Sequence, residues 1–200
     1  MGFFVDDYAP AIVATTEAFE WGAVDTTVRE LADLRAAGGR VFVLGLGGSA
    51  GNASHMVNDL RKLTGIEAYT PTDNVSELTA RINDEGWGKA FVGWLEGSRL
   101  SEKDAIFVLS VGGGDAERGV STELVAAIDF AASRGSRILG IVGRNGGYAA
   151  QKGRVVVVPT VRPDLVTPLS EAFQSVVWHG IVSHPELALS RAHWETLDGL

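Results

Sequence analysis

Short apolar runs rich in β-branched residues alternate along the chain with longer segments of helical periodicity, and this alternation constrains the fold most. Runs without polar alternation are typical of strands buried on both faces, as in a parallel sheet covered by helices. The strand-like runs are "RVFVLGL" (40–46), "IEAYT" (66–70), "AIFVLS" (105–110), "RILGIVG" (137–143) and "RVVVVPT" (154–160). Because crossovers between parallel strands are right-handed, we expect an α/β fold with one doubly wound sheet of five parallel strands.

Helical periodicity fills the segments between these runs, so the expected topology is flavodoxin-like, with helices on both faces of the sheet. The first helix is long and ends at the pair Gly38-Gly39. The expected helices with two defined ends are 10–36, 87–97, 122–133 and 168–182, and the segment 47–63 is expected to form a glycine turn and a helix. A short helix capped by Asp73 or Ser76 is expected to run through Ile82, and a last helical piece is expected to end near Trp194. We expect a single domain over 1–200, with its α/β core at about 40–185.

Composition narrows the class of protein. The 200 residues are 46% hydrophobic, which is enough for one full core. A net charge of −8 argues against nucleic-acid binding, and the absence of cysteine excludes disulfides and thiolate ligands. The first residues lack the basic start of a signal peptide, and no apolar run is long enough to span a membrane. We therefore expect a cytoplasmic protein with neither membrane nor nucleic-acid partners.

Three glycine-rich loops, at 45–51, 110–115 and 143–147, each follow a strand-like run. Ligands of such sheets bind beyond the carboxyl ends of the strands. The first loop, "GLGGSAG", lacks the Gly-Lys-Ser/Thr of a P-loop, and no acidic residue ends the next strand, so no nucleotide cofactor is expected. It is either a tight turn with Ser49 as helix N-cap or a cradle for a sugar phosphate.

The second loop, within "LSVGGGDAERGVS" (109–121), combines exposed backbone N–H groups with opposite charges. Its glycines would accept an anion, Asp115 would repel one and Arg118 would attract one. Asp115 is open to two interpretations: it turns outward in an Asx turn, or it binds a sugar hydroxyl.

Two pairs of titratable residues lie on two predicted helices. His55 and Asp59 are four residues apart and share a face, and Glu171 and His179, eight apart, share a broader one. Each pair has an ordinary explanation as a surface hydrogen bond or a core histidine. Two imidazoles and two carboxylates are also a ligand set for Zn²⁺, provided that the two helices meet.

The order "GGSAGNASHMVNDL", "NDEG" (83–86), strand–glycine loop–helix at 105–132, "GRNGG" and "SEAFQSVVWH" resembles the SIS (sugar isomerase) domain over nearly the whole chain. Within it, the sequence is most similar to the phosphoheptose isomerases. The resemblance implies conversion of sedoheptulose 7-phosphate to D-glycero-D-manno-heptose 7-phosphate through an enediol, for heptose biosynthesis. It also implies a homotetramer that buries the helix at 10–36 and completes its active sites at subunit interfaces. Phe19, Trp21, Val24 and Val28 would supply the apolar surface for that assembly.

Carried over by motif, the resemblance makes Asp59 the catalytic base and His179 the acid. It groups His55, Asp59, Glu171 and His179 as zinc ligands, and Asn83 with Asp84 as substrate contacts. The family's phosphate loop, Ser-Thr-Ser-Gly-Asn-Ser, is replaced here by 110–115 with about four extra residues before the next helix. The expected substrate- and phosphate-binding residues are Ser49, Asn83, Asp84, Ser110, Gly112, Gly113, Arg118 and Ser121.

Two other functions stay open from the residues. One is the same isomerisation on a different sugar phosphate. The other is a non-catalytic SIS module that senses a sugar phosphate or binds a protein partner, against which the retained Asp59 and His179 argue.

Overall fold

Five parallel strands form the sheet in the computed structural model, which describes residues 4–191 and 193–197. The strand order is β2-β1-β3-β4-β5, and every neighbouring pair is parallel. The strands are β1 (Val41–Gly45), β2 (Ala68–Tyr69), β3 (Ala105–Ser110), β4 (Arg137–Val142) and β5 (Arg154–Val157). This is the doubly wound flavodoxin-like order, and the prediction of fold class is confirmed.

Helices cover both faces of this sheet. Successive residues of a strand point to opposite faces. Val41 and Val43 therefore join one apolar cluster with the helices Gly22–Ala36, Gly48–Leu63 and Val166–Ser183, and Phe42 and Leu44 join another with Ala90–Gly97 and Thr122–Ser133. The helices are α1 (Phe4–Glu17), α2 (Gly22–Ala36), α3 (Gly48–Leu63), α4 (Val75–Glu85), α5 (Ala90–Gly97), α6 (Thr122–Ser133), α7 (Gly147–Lys152) and α8 (Val166–Ser183). None of the helices in the described ranges is both long and apolar enough to cross a membrane.

The single helix expected over 10–36 is wrong, because the structure has two helices there. α1 ends at Glu17 and α2 begins at Gly22. Between them Phe19 is buried, with its ring centroid 6.2 Å from that of Phe173 on α8. Burying a phenyl ring contributes about 1.5–3 kcal/mol, which offsets the interrupted helical hydrogen bonds.

Smaller differences from the predicted elements have local causes. α4 is capped by Asn74, which accepts the N–H of Glu77 at 3.2 Å, instead of by Asp73 or Ser76. The segment 66–70 contributes only two residues to the sheet, as β2 at its edge. The short helix α7 was not expected at all.

The helical piece expected to end near Trp194 is also absent from the described part of the chain, apart from a 3₁₀ turn at Trp194–Thr196. The residue before a proline is disfavoured in the helical conformation, and His184, which precedes Pro185, is extended. The following turn is held by Arg35, whose guanidinium donates to the carbonyl oxygens of Glu186 and Leu187 at 2.9 and 2.7 Å.

An ion pair joins the amino ends of β1 and β3, at the edge of the sheet opposite the glycine loops. The Asp104 carboxylate accepts hydrogen bonds from Arg40 at 2.9 Å and from the hydroxyl of Ser101 at 2.9 Å. Burial alone would raise the pKa of Asp104, but these hydrogen bonds outweigh burial and hold the pKa below its ordinary value of 3.8. The pair stabilises the fold and lies away from the ligand edge.

Candidate active site

Three titratable side chains meet where α3 packs against α8. His55 and Asp59, four residues apart, share the face of α3 that is turned toward His179 on α8. Asp59 Oδ2 lies 3.8 Å from His55 Nε2 and 3.9 Å from His179 Nε2. We call these three residues the His–Asp cluster.

Hydrogen bonds orient the members of the cluster. His179 Nδ1 lies 2.7 Å from the carbonyl oxygen of Ser175, and a carbonyl only accepts, so Nδ1 carries the proton. The other ring nitrogen, Nε2, therefore presents a lone pair toward Asp59 when the imidazole is neutral. Asp59 Oδ1 accepts from Asn58 Nδ2 at 2.8 Å, which leaves Oδ2 to the two histidines.

Trp178 packs against both rings of the cluster. Its ring centroid lies 3.6 Å from that of His179 in a stacked arrangement and 4.7 Å from that of His55 in an edge contact. Trp178 is fully buried, so it forms a fixed wall behind two imidazoles that face solvent. Asp59 is 9% exposed, so the solvent-facing part of the cluster consists mainly of the two imidazoles.

The donor atoms of the cluster suit a metal such as Zn²⁺. One atom from each of His55, Asp59 and His179 lies within 4.8 Å of the others, and two imidazole nitrogens with a carboxylate are ligands that zinc accepts. Glu171, the fourth predicted ligand, does not join them. Its carboxylate packs against Gly48, and the eight residues that separate it from His179 rise about 12 Å along α8.

A buried polar network holds α3 and α8 in register. Gln174 has no exposed surface, donates to Ser49 Oγ at 3.0 Å and accepts from Asn52 Nδ2 at 2.9 Å. Ser175 Oγ donates to Asn52 Oδ1 at 2.7 Å. Sequence reasoning missed Asn52 and Ser175. Asn52 lies three residues before His55, and Ser175 lies four before His179, so each shares a helical face with a residue of the cluster. This spacing could have identified both residues from the sequence.

A cavity of about 670 Å³ opens beyond the carboxyl ends of β1, β3 and β4, where doubly wound sheets bind ligands. We call it the loop cavity. Five of the predicted phosphate-binding residues line it: Ser49, Ser110, Gly112, Arg118 and Ser121.

Within the 110–115 loop, Ser110 and Gly113 have internal partners. Ser110 Oγ accepts the backbone N–H groups of Gly112 at 3.3 Å and Gly113 at 3.0 Å. Gly113 is not part of the cavity lining. It has φ +72° and packs against the carbonyl oxygen of Gly146, so a side chain there would collide with that backbone. The N–H of Gly113 therefore shapes the loop instead of facing the cavity.

Asp115 forms the Asx turn that was one of its two interpretations. Its Oδ1 accepts the N–H groups of Glu117 at 3.1 Å and Arg118 at 2.9 Å. An antiparallel bridge between Asp115 and Val120 closes the extra residues into a small turn. Arg118 Nε lies 3.7 Å from Asp115 Oδ2, and the Arg118 side chain is 75% exposed. The aspartate thus offsets the charge of the arginine that was expected to bind phosphate.

Asn83 and Asp84, the predicted substrate contacts, lie outside both the His–Asp cluster and the loop cavity. Both are exposed on the last turn of α4, where Asn83 Nδ2 donates to Asp84 Oδ1 at 2.8 Å. Because α4 packs against α5, these residues join neither the His–Asp cluster nor the loop cavity.

Arg144 lines the loop cavity and was not singled out from the sequence. It follows β4 in the "GRNGG" turn and has φ +55°. Its signal was a cation inside a glycine turn at the carboxyl end of a strand, the position at which ligands bind.

No protein-family model matches the chain. A phosphoheptose isomerase from Geotalea daltonii is 32% identical over 150 residues, which are 72% of this chain and 73% of that protein. The lincomycin biosynthesis protein LmbN from Streptomyces lincolnensis is 32% identical over 160 residues, and the chain spans 56% of its length.

The fold has a counterpart among solved structures. The structure of a phosphoheptose isomerase from Neisseria gonorrhoeae aligns with this one at a TM-score of 0.75 and 22% identity. The alignment covers 90% of this chain and 94% of the Neisseria chain. This likeness shows the shared fold, and the sequence relatives carry the assignment further. On the identity and coverage of the Geotalea protein, the chain belongs to the phosphoheptose isomerase family.

Proposed function

We propose that the protein isomerises sedoheptulose 7-phosphate to D-glycero-D-manno-heptose 7-phosphate. One observation carries the proposal: α3 links the loop cavity to the His–Asp cluster. Ser49 lines the cavity, and His55, six residues further along the helix, lies about 9 Å away along its axis. A sugar phosphate has its phosphate and its carbonyl at opposite ends of the carbon chain, so it suits a site in two such parts. Family membership supports the same reaction.

The reaction moves one proton between two carbons. In the proposed mechanism Asp59 removes a proton from C1 of the ketose while His179 protonates the oxygen on C2, which gives an enediol. Asp59 then returns its proton to C2, and the hydroxyl on C1 gives its proton to His179 as the aldehyde forms. Atoms and charges balance over the two steps, and no redox partner is needed.

The same residues would hold a zinc ion through His55 Nε2, Asp59 Oδ2 and His179 Nε2. Bound zinc would polarise the substrate carbonyl as a Lewis acid. Because the Ser175 carbonyl oxygen accepts from His179 Nδ1, Nε2 is the nitrogen that faces the reaction. In the neutral ring Nε2 has a lone pair for zinc, whereas in the role of acid His179 would be the imidazolium, which carries a proton on Nε2 as well.

The proposed assembly is a homotetramer, but of the four residues expected to supply its surface only Trp21 is exposed. Phe19, Val24 and Val28 are buried within the protomer. In the described part of the amino-terminal segment, residues 4–36, the large apolar residues left exposed are on α1 and at the turn after it: Phe4, Ile12, Val13 and Trp21. A second copy of the chain would cover these residues, and a cytoplasmic location fits a phosphorylated substrate.

The test is direct incubation of the purified protein with sedoheptulose 7-phosphate, followed by NMR of the sugar carbons. We expect the aldose signals to grow and to include solvent deuterium at C2 when the reaction is run in D₂O. No product and no deuterium exchange would refute the isomerase.

A second candidate is the same reaction on another sugar phosphate, because LmbN is as similar in identity as the isomerase from Geotalea. The same NMR assay with ketose phosphates of five to eight carbons would separate the two. The non-catalytic alternative is distinguished by binding without turnover of any of these sugars.

A further inference from the structure

Four charged residues line the loop cavity: Asp115, Glu117, Arg118 and Arg144. Asp115 and Arg118 form the ion pair described above, in which the arginine points largely to solvent. Within residues 4–191 and 193–197, Arg144 has no carboxylate within 4.0 Å, Glu117 included. Arg144 is therefore the cavity cation whose charge is not already offset by a neighbour.

The 143–147 turn, which carries Arg144, leads into α7, and the start of α7 is joined to the 110–115 loop by backbone hydrogen bonds. The N–H of Tyr148 donates to the carbonyl oxygen of Gly114 at 2.9 Å, and that of Ala149 donates to the carbonyl oxygen of Gly113 at 3.0 Å. Gly147 packs so closely against the carbonyl oxygen of Gly112 that a side chain there would collide with it. This contact fixes the position of the 143–147 turn relative to the 110–115 loop.

The side chain of Arg144 runs along the wall of the cavity. Its Cδ lies 3.9 Å from the place that a Cβ on Gly112 would occupy, so Arg144 lies alongside the 110–115 loop at van der Waals distance. The hydroxyl-bearing residues Ser121 and Thr167 line the same cavity, and Ser121 makes no side-chain bond to cap α6. A guanidinium and hydroxyl groups on the walls of one cavity form a donor set that suits a phosphate monoester.

We infer that Arg144 supplies the positive charge that binds the phosphate of the substrate, in the place that the sequence suggested for Arg118. The inference rests on the proposed function for the identity of the substrate but not for the binding of phosphate itself. The inference explains how the site could bind phosphate although the 110–115 loop lacks the hydroxyl groups of the family's phosphate loop. The positive charge would come from the 143–147 turn, which follows the neighbouring strand β4.

The test is calorimetric titration of the whole protein with inorganic phosphate. We expect Arg144→Ala to weaken binding at least tenfold, and Arg144→Lys to recover only part of it, because an ammonium lacks the planar fork of a guanidinium. Arg144→Asn is a second variant that tolerates the positive φ, and we expect it to show the same loss.

Arg99→Ala is the matched control. Arg99 is an exposed arginine with φ +54° outside the cavity, so its replacement removes the same charge from the same backbone conformation. We expect its phosphate affinity to stay within twofold of the unsubstituted protein. Arg118→Ala is the rival variant, and we expect it to weaken binding by less than threefold.

Three results would overturn the inference: phosphate affinity unchanged in both Arg144→Ala and Arg144→Asn, a larger loss in Arg118→Ala than in Arg144→Ala, or no phosphate binding by the unsubstituted protein. If isomerase activity is found, Arg144→Ala should raise KM at least tenfold with kcat within threefold, because phosphate contacts are shared by ground and transition states. A protein that binds phosphate through Arg144 without isomerising the sugar would refute the proposed function alone.

Discussion

At the scale of single residues, Asp59 and His179 carry the chemistry proposed for the cluster. We expect Asp59→Asn and His179→Ala each to lower turnover about 10²-fold or more, because each removes one partner in proton transfer. The His179 side chain is 47% exposed, and Asn has nearly the same shape as the buried Asp59, so melting temperatures should change little. The control is His193→Ala, which replaces an exposed histidine and should leave the turnover of the enzyme unchanged. Near-native turnover in both cluster variants would show that the reaction, if present, occurs elsewhere.

Zinc binding provides a second test of the cluster, in which the affinity for the metal is measured and turnover is not needed. His55→Ala removes one of three donor atoms and should lower zinc affinity at least tenfold. Glu171→Gln should leave the affinity within threefold, since that carboxylate packs against Gly48. Equal losses in both variants would mean that Glu171 moves into the cluster when metal binds.

Asp104 is a residue whose ionisation affects folding and not the site. Its pKa is lower in the folded protein than the ordinary 3.8, so its contribution is present at neutral pH and is lost as pH falls through the folded pKa. Asp104→Asn should lower the free energy of unfolding by about 2 kcal/mol at pH 7. Urea titrations from pH 7 to pH 2.5 should show this difference shrink with acid, and a difference independent of pH would contradict the assignment.

At the scale of elements, the network around Gln174 decides how α3 and α8 face each other. Gln174→Leu leaves the half-buried Asn52 amide and the buried Ser49 hydroxyl without this partner, which should cost about 1–3 kcal/mol. Because the same contact aligns the cluster, zinc affinity should fall about tenfold as well, and Gln174→Glu should restore part of it.

The control for that substitution is Val176→Ala on an exposed face of α8. It should change neither stability nor metal affinity. Destabilisation by Gln174→Leu with unaltered zinc affinity would make the network structural only.

At the scale of the whole molecule, the exposed apolar face of α1 is the surface that a tetramer would bury. Phe4 is 64% and Val13 is 56% exposed. We expect sedimentation to give a tetramer for the unsubstituted protein and smaller species for Val13→Asp, since a buried unpaired charge is costly. Glu17→Ala is the control. A stable monomer at micromolar concentration would refute the assembly.

Much of the fold followed from local pattern. The runs at 105–110 and 122–133 became β3 and α6 with the expected bounds, because apolar strands and periodic helices are encoded by neighbouring residues. The single helix predicted at 10–36 did not form, because its interruption depends on the contact between Phe19 and Phe173, which are 154 residues apart in the chain.

The sequence by itself determined the alternation of strands and helices, the three glycine loops at the ligand edge and the residue types of the cluster. Only the tertiary structure decided which of those residues meet. It packed His55 and Asp59 against His179, moved Glu171 about 12 Å away along α8, paired Arg118 with Asp115 and left Arg144 facing the cavity. The physical reason is that spacing along a helix sets the face of a side chain, whereas its partners depend on which elements the sheet order brings together.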